Sequence, residues 1–290
     1  MTRRFLVVLA LVGIVASGCT LGPRQTWADS IRHARRTAER SGGSKVHVDV
    51  KLRVIQTTIR VVPSPLFVTL DGVVDYKNRK SRLVATGGAG FAKRATVYYD
   101  DLVTFLQRSP SSIADHDPDR HWARFDFSDK PKPDKIDATD RLQSLGYVIS
   151  PGLAVELLNG VLAGSLKQVG ASQIDGEPVT EYYGKLAPDA VTRDLRKQER
   201  VDGITRMFKI LGVSADLFPV HVWMDAKGLA RKIEFSLKQQ EDVVDQFRTT
   251  VVYTFSDYGP PPQIRLPERG DCVGHKRFVD FVGEYTRSAI

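Results

Sequence analysis

The stretch "FPVHVWMDAKGLARKIEFSL", residues 218–237, decides the fold class. Val220, Val222 and Met224 alternate with His221 and Trp223 into the polar turn "DAKG" (225–228), and Leu229, Ile233, Phe235 and Leu237 carry the apolar pattern out of it. Side chains of a strand point to opposite faces with a period of two. The stretch is therefore a hairpin with one dry face and one wet face, its turn closed by a glycine.

The same period recurs in both directions from there. Val46, Val48, Val50, Leu52 and Val54 alternate with His47, Asp49, Lys51 and Arg53, which predicts a long half-buried strand. A parity switch at Ile59 and Val61 predicts a turn or bulge near "IQTT" (55–58). Leu66, Val68 and Leu70 lead to "DG" (71–72), a turn signal, then "VVDY", a polar turn "KNRKS" and a returning "RLVAT". "TVYY" and "LVTFLQR" around "DD" read as another hairpin, "HWARFDF" (121–127) as a strand, and "TTVVYTFSDYG" (249–259) as a further one. Strands in series with short turns predict an antiparallel meander.

Helical spacing appears in three places. Trp27, Ile31, Ala34 and Ala38 mark a helix over "WADSIRHARRTAER", ended by "SGG" (41–43), with Arg32, Arg35, Arg36 and Arg40 as its basic face. That face reads first as a solvated one and second as a contact for a membrane surface. "SPGLAVELLNGVLAGSLKQVG" (150–170) is expected as one helix capped by Ser150, with Pro151 in its first turn. Its apolar positions, among them Leu153, Leu157, Val161 and Val169, cover an arc of roughly 200°, wider than the ~100° stripe of a one-sided helix. "PDAVTRDLRKQERVDGITRMFKILG" (188–212) is expected as a second helical stretch with a break at Asp202 and Gly203. No repeat is visible, and the economical reading is one α+β domain.

The beginning of the chain bears on location. Arg3 and Arg4 precede an apolar run from Phe5 to Ala16 and the small residues of "ASGC" (16–19). A membrane-crossing helix needs roughly 20 apolar residues, whereas a run of this length is typical of an export signal. The motif resembles a bacterial lipobox, with Ala16 where leucine is usual. On that reading 1–18 is a lipoprotein signal peptide, Cys19 is acylated, and 19–26 is a tether to the extracytoplasmic face of the cell membrane. Ordinary signal cleavage nearby and an uncleaved anchor are the alternatives. Cys19 and Cys272 are the two cysteines of the 290-residue chain, so no disulfide framework or thiolate metal site is expected, and Cys272 reads as a passive thiol. The net charge of +8, or +6 without residues 1–18, suits anionic headgroups or wall polymers; an exported chain gives it no bearing on nucleic acid.

Chemistry is sparse. "LAGSLKQVG" lacks the second glycine of a nucleophile elbow, and "TGGAGFAK" lacks the spacing of a phosphate loop. Asp115, Asp117, Asp119 and Asp126 stand at the first, third, fifth and twelfth places of a calcium-loop pattern. Arg120 occupies the place of the turn glycine, Pro118 stiffens the loop, and Asp126 is shorter than the usual glutamate, so a solvated acidic loop is the better reading. His116 and His121 raise zinc as a still weaker alternative. No cofactor is expected, and an enzyme is the least favoured class.

Signal and lipobox, amphipathic helix, long strand, central helices, "PVHVWMDAKGLARKIEF" and the closing "YTFSDYGPPPQIRLP" (253–267) together resemble the LolA-like lipoproteins of actinobacteria, the LppX and LprG group of mycobacteria. The resemblance implies a strongly curved antiparallel sheet, a half-barrel, over residues 27–267, with helices packed on its concave face. It further implies that the apolar space between them receives an acylated lipid or lipoglycan, which the protein carries or presents. Apolar parity and helix phase make Val50, Leu52, Leu70, Leu157, Val161, Phe208, Leu211, Val222, Met224, Ile233 and Phe235 the expected lining. Residues 268–290 extend past the usual end of that pattern, and Phe278, Phe281, Val282 and Tyr285 give them helical spacing. The competing reading is an envelope sensor or regulator that uses the same fold to bind a protein partner of unknown identity.

Overall fold

The protein is described by a computed structural model over residues 27–56, 66–86, 94–107, 119–127, 144, 146–193, 195, 197–211, 217–238 and 246–274. Twelve strands form one open sheet in the order β12-β6-β5-β4-β3-β2-β1-β11-β10-β9-β8-β7. The centre is β1 (Gly43–Gln56), flanked by β2 (Leu66–Asp75) and β11 (Gln246–Gly259). One wing continues through β3 (Lys80–Thr86), β4 (Arg94–Asp100), β5 (Val103–Gln107) and β6 (Trp122–Asp126) to the two-residue β12 (Cys272–Val273). The other runs through β10 (Ala230–Lys238), β9 (Phe218–Asp225) and β8 (Glu177–Leu186) to β7 (Lys167–Ile174). Every neighbouring pair is antiparallel except β12 with β6. The α+β class and the curved, unclosed antiparallel sheet are as the sequence motifs implied.

The alternating residues of β1 and the 218–237 hairpin do what their period requires. Val46, Val48, Val50 and Leu52 are buried, as are Val220, Val222, Met224, Ile233, Phe235 and Leu237, all on one face. Asp225 organises the β9–β10 turn by accepting the backbone N–H groups of Lys227 and Leu229, and Gly228 takes φ +76°. On the buried face lie α1 (Trp27–Ser41), α2 (Pro151–Leu157), α3 (Pro188–Thr192) and α4 (Gln198–Ile210). Ile31, Ala34 and Ala38 of α1, Leu153 and Leu157 of α2, Val191 of α3 and Ile204, Met207 and Phe208 of α4 join the sheet residues in one core.

Three expectations are corrected. "DG" at 71–72 is no turn: β2 runs straight through it, pairing Asp71 and Gly72 with His47 and Val46 of β1. A Cβ on Gly72 would stand 2.0 Å from the Arg82 carbonyl oxygen, so the glycine serves the close approach of β3. The single helix over 150–170 ends at Leu157 and gives way to short 3₁₀ turns at Leu158–Gly160 and Ala163–Ser165 and then to β7. Gly160 stands where a Cβ would meet Val191 Cγ2 at 2.5 Å, and Val161 turns into an isolated bridge with Leu186, so sheet pairing overrides helix phase. Ser150 makes no side-chain cap, and Val169 is half exposed on the edge strand. Finally, α4 runs unbroken through Asp202 and Gly203, because Gly203 lets the helix close on Leu102; the interruption lies before it, between Thr192 and Gln198.

Connection lengths differ between the two rims of the sheet. At one rim the hairpins turn tightly, at 76–79, 101–102, 175–176 and 226–229. At the other, residues 57–65, 87–93, 108–121 and 239–245 link the same strands.

Candidate functional site

The concave face is an apolar layer shared between sheet and helices. Val50 and Leu70 stand on the central strands; Val222, Met224, Ile233 and Phe235 on β9 and β10; Leu157 and Val161 at and beyond the end of α2; Phe208 and Leu211 at the end of α4. All of these belong to a single buried cluster. Leu52 is equally buried at 3% exposure but lies toward the long-connection rim of β1, outside that cluster.

Sequence reasoning missed the aromatic spine of this layer. Phe208, Phe218, Phe235, Tyr253, Phe255 and Tyr258 follow one another with ring centroids 5.7–6.4 Å apart, and Tyr76 stacks on Tyr258 at 6.1 Å. Such spacing falls in the range of favourable aromatic pairing. Parity places Tyr253 and Phe255 on one face with the buried Val251, and Phe208 and Phe235 are among the expected lining; what no local pattern shows is that the rings form one file.

Two tyrosines of the sheet hold the helix layer by their polar tips. Tyr253 of β11 donates to the carbonyl of Val148 at 2.7 Å, and Tyr99 of β4 donates to the carbonyl of Gly146 at 2.9 Å. Burial pushes both hydroxyl pKa values up, which keeps them as neutral donors.

Next to these pins, at the tight-turn rim, charged residues of five elements converge. Glu156 of α2 accepts from Arg200 of α4 and, at 3.0 Å, from Arg35 of α1. Arg35 also donates to Glu39 at 2.9 Å. Arg200 Nε lies 2.9 Å from Asp101 Oδ1, an ion contact whose angles make no hydrogen bond, and Arg79 Nη1 lies 3.6 Å from Asp101 Oδ2. Arg79 and Asp101 sit at the tips of the β2–β3 and β4–β5 turns with φ of 54° and 52°, joined by an N–H of Asp101 to the carbonyl of Arg79. Glu156 and Arg200 are 3% and 4% exposed, so this is a desolvated network. Burial opposes the charge of Arg200, but Glu156 and Asp101 outweigh it and raise the guanidinium pKa. Three arginines balance three carboxylates around a cleft of about 30 Å3, room for two or three waters at ~10–15 Å3 each. Ligand sites run to roughly 300–1,000 Å3. The cleft is a fastening of the helices to the sheet rim, not a lipid site.

Of the acidic candidates, only Asp119 and Asp126 fall among the described residues. Asp126 is engaged by Arg124, Asp119 is exposed, and Asp115 and Asp117 lie outside the described residues, as do Cys19, His116 and the extension beyond Gly274. Among the described residues, no three His, Cys, Asp or Glu side chains are placed to hold a metal ion. His121 instead pairs with Asp271 at 2.7 Å. Cys272 is buried, donates to the Glu268 carbonyl at 3.2 Å, and has its thiol pKa raised by burial and by Asp271. It borders an open groove of about 350 Å3 with Arg124, Asp126 and Arg269, on the side of β6 away from the helices.

No family model and no curated protein matches the chain. Solved structures with a similar layout include the Mycobacterium tuberculosis lipoprotein LppX, at 14% identity and TM-score 0.42 over 81% of this chain and 98% of that one. LprF from Mycobacterium bovis follows at 11% and 0.39 over 83% and 96%. A LolA superfamily protein from Nitrosomonas europaea follows at 11% and 0.30 over 84% and 96%. These similarities extend no further than layout.

Proposed function

We propose that the chain is an envelope lipoprotein, acylated at Cys19 on the extracytoplasmic face of the cell membrane, that takes up the acyl chains of a lipid or lipoglycan between its sheet and its helix layer. The observation that carries this reading is the construction of the concave face. An apolar layer spans both wings of the sheet and is covered, among the described residues, by helices of 15, 7, 5 and 13 residues. Three of those helices, α1, α2 and α4, are joined by ion pairs at the tight-turn rim, and tyrosine hydroxyls of β4 and β11 hold the segment that leads into α2. A lid hinged on that rim opens at the other, beside the long connections. An acyl chain sliding in replaces side-chain contacts with methylene contacts at ~0.8 kcal/mol per buried methylene, so no bond need be made or broken. Val222, Met224, Ile233 and Phe235 from the sheet and Leu157, Phe208 and Leu211 from the helices would line that path.

Native mass spectrometry of the full chain from its membrane, with organic extraction and peptide mapping at Cys19, tests the reading. A near-stoichiometric non-covalent diacyl or triacyl lipid, beside an acylated Cys19 peptide, is the expected result. A stable protein that retains no lipid and takes up none when it is added overturns the carrier function.

A further inference from the structure

We propose that the outward face of α1 is a docking surface for an anionic bilayer and that it turns the helix layer toward the headgroups. Ile31, Ala34 and Ala38 fix which side of α1 faces the core. At ~100° per residue, Arg32, Arg36 and Arg40 then fall within roughly 80° of one another on the outward side. All three are exposed. Of the acids of the helix, only Asp29 offsets one of them. Glu39 is taken by Arg35, which itself turns inward to Glu156, and Asp29 faces the single guanidinium of Arg32 at 2.9 Å. The β9–β10 turn lies alongside, since a Cβ on Gly228 would be 4.0 Å from Thr37 Oγ1, and it adds the exposed Lys227.

On the convex back of the sheet, Lys51, Arg53, Arg248 and Lys238 also lie side by side, but toward the long-connection rim. Its other bases are interleaved with acids: Lys45 with Asp257 at 2.8 Å, His47 with Asp71 at 2.7 Å and Lys232 with Glu234 at 4.0 Å. The outward side of α1 has no large apolar side chain among its described residues, so contact is electrostatic and peripheral, without insertion. Location favours a bilayer over other polyanions. Seven residues separate Cys19 from the start of α1, a reach of at most roughly 30 Å, so an acylated chain holds this helix beside the headgroups. The orientation rests on the anchoring reading above; the charge complementarity does not.

Hydrogen exchange of the full chain on phosphatidylcholine vesicles, with and without 30% phosphatidylglycerol, tests the surface. Flotation of the same samples reports the anchor separately. Exchange across residues 28–40 should slow severalfold on the anionic vesicles alone, recover in 0.5 M NaCl, and be unaffected by lipid charge in R32Q/R36Q/R40Q. These exposed substitutions should leave the thermal midpoint unchanged. Protein that floats on both vesicles with equal exchange overturns the docking surface and leaves the anchor standing. Protein that floats only on anionic vesicles, in a salt-sensitive way lost in the triple variant, sinks the anchor and supports the surface. Equal protection by a soluble glycerophosphate polymer at matched phosphate overturns the bilayer as partner.

Discussion

Arg200 of α4 and Glu156 of α2 meet as a buried, hydrogen-bonded ion pair, and through Arg35 the same carboxylate holds α1. Removing one member of such a pair strands the other charge in a desolvated site, which typically costs 3–5 kcal/mol. Glu156→Leu and Arg200→Met are each expected to lose about that much in urea unfolding. The double variant Glu156→Leu/Arg200→Met should recover most of it, because an apolar pair of similar volume avoids the desolvation cost. If the helices are a lid hinged here, the single variants also take up lipid faster. Losses that simply add in the double variant would contradict the pairing.

The tyrosine pins permit a finer test. Tyr253→Phe keeps the ring in the aromatic file and removes only the donor to Val148, leaving a buried carbonyl unpaired at about 1–3 kcal/mol. Tyr99→Phe does the same at Gly146. Both should speed hydrogen exchange over residues 146–157 more than over β9 and β10. Uniform acceleration across the sheet would mean that the hydroxyls do not fasten this layer in particular.

Two glycines should respond to the same substitution with opposite sign. Gly72→Ala drives a Cβ to 2.0 Å from backbone of β3, and its cost should exceed the usual ~1–3 kcal/mol of core overpacking. Gly152→Ala lies in α2 with nothing within 4 Å of the added carbon, and it should stabilise by about 0.4–1 kcal/mol through a less flexible unfolded chain. Urea midpoints of the two variants decide the matter.

Gly72 also marks where the sequence stops being legible. The period of two in β1, β9, β10 and β11 is a local property, so the strands and the dry face of the sheet could be read residue by residue. Gly72 and Gly160 are set by partners far away in sequence, Arg82 and Val191, and a local reading mistook the first for a turn and ran a helix past the second. The lining residues named from parity and helix phase are all buried, and all but Leu52 fall in one core cluster, because parity and burial are the same fact seen twice. The Arg35–Glu156–Arg200–Asp101 network was invisible for the opposite reason. Its members lie on four elements and follow no period, and a buried charge on a helix looks in sequence like any solvated one.

His47 gives the fold a measurable pH dependence on its convex face. Its Nδ1 lies 2.7 Å from Asp71 Oδ1 and its Nε2 3.3 Å from Asp49 Oδ2, and carboxylates only accept, so both contacts are satisfied together only by the imidazolium. The hydrogen bond to Asp71 raises the pKa above 6.5, partial burial opposes it, and Asp49 adds to the rise. A histidine whose folded pKa is raised contributes stability that is fully present below about 6.5 and is lost as pH climbs through the folded-state value. The side chain is 44% exposed, so screening holds the contribution to a few tenths of a kcal/mol. The His47 imidazole should therefore titrate above 6.5 by NMR and move toward 6.5 in Asp71→Asn and in 1 M NaCl. Unfolding free energy should fall slightly across the same interval, with that slope absent in His47→Gln. A midpoint at or below 6.5 in low salt would show that the two carboxylates do not hold the ring as an imidazolium.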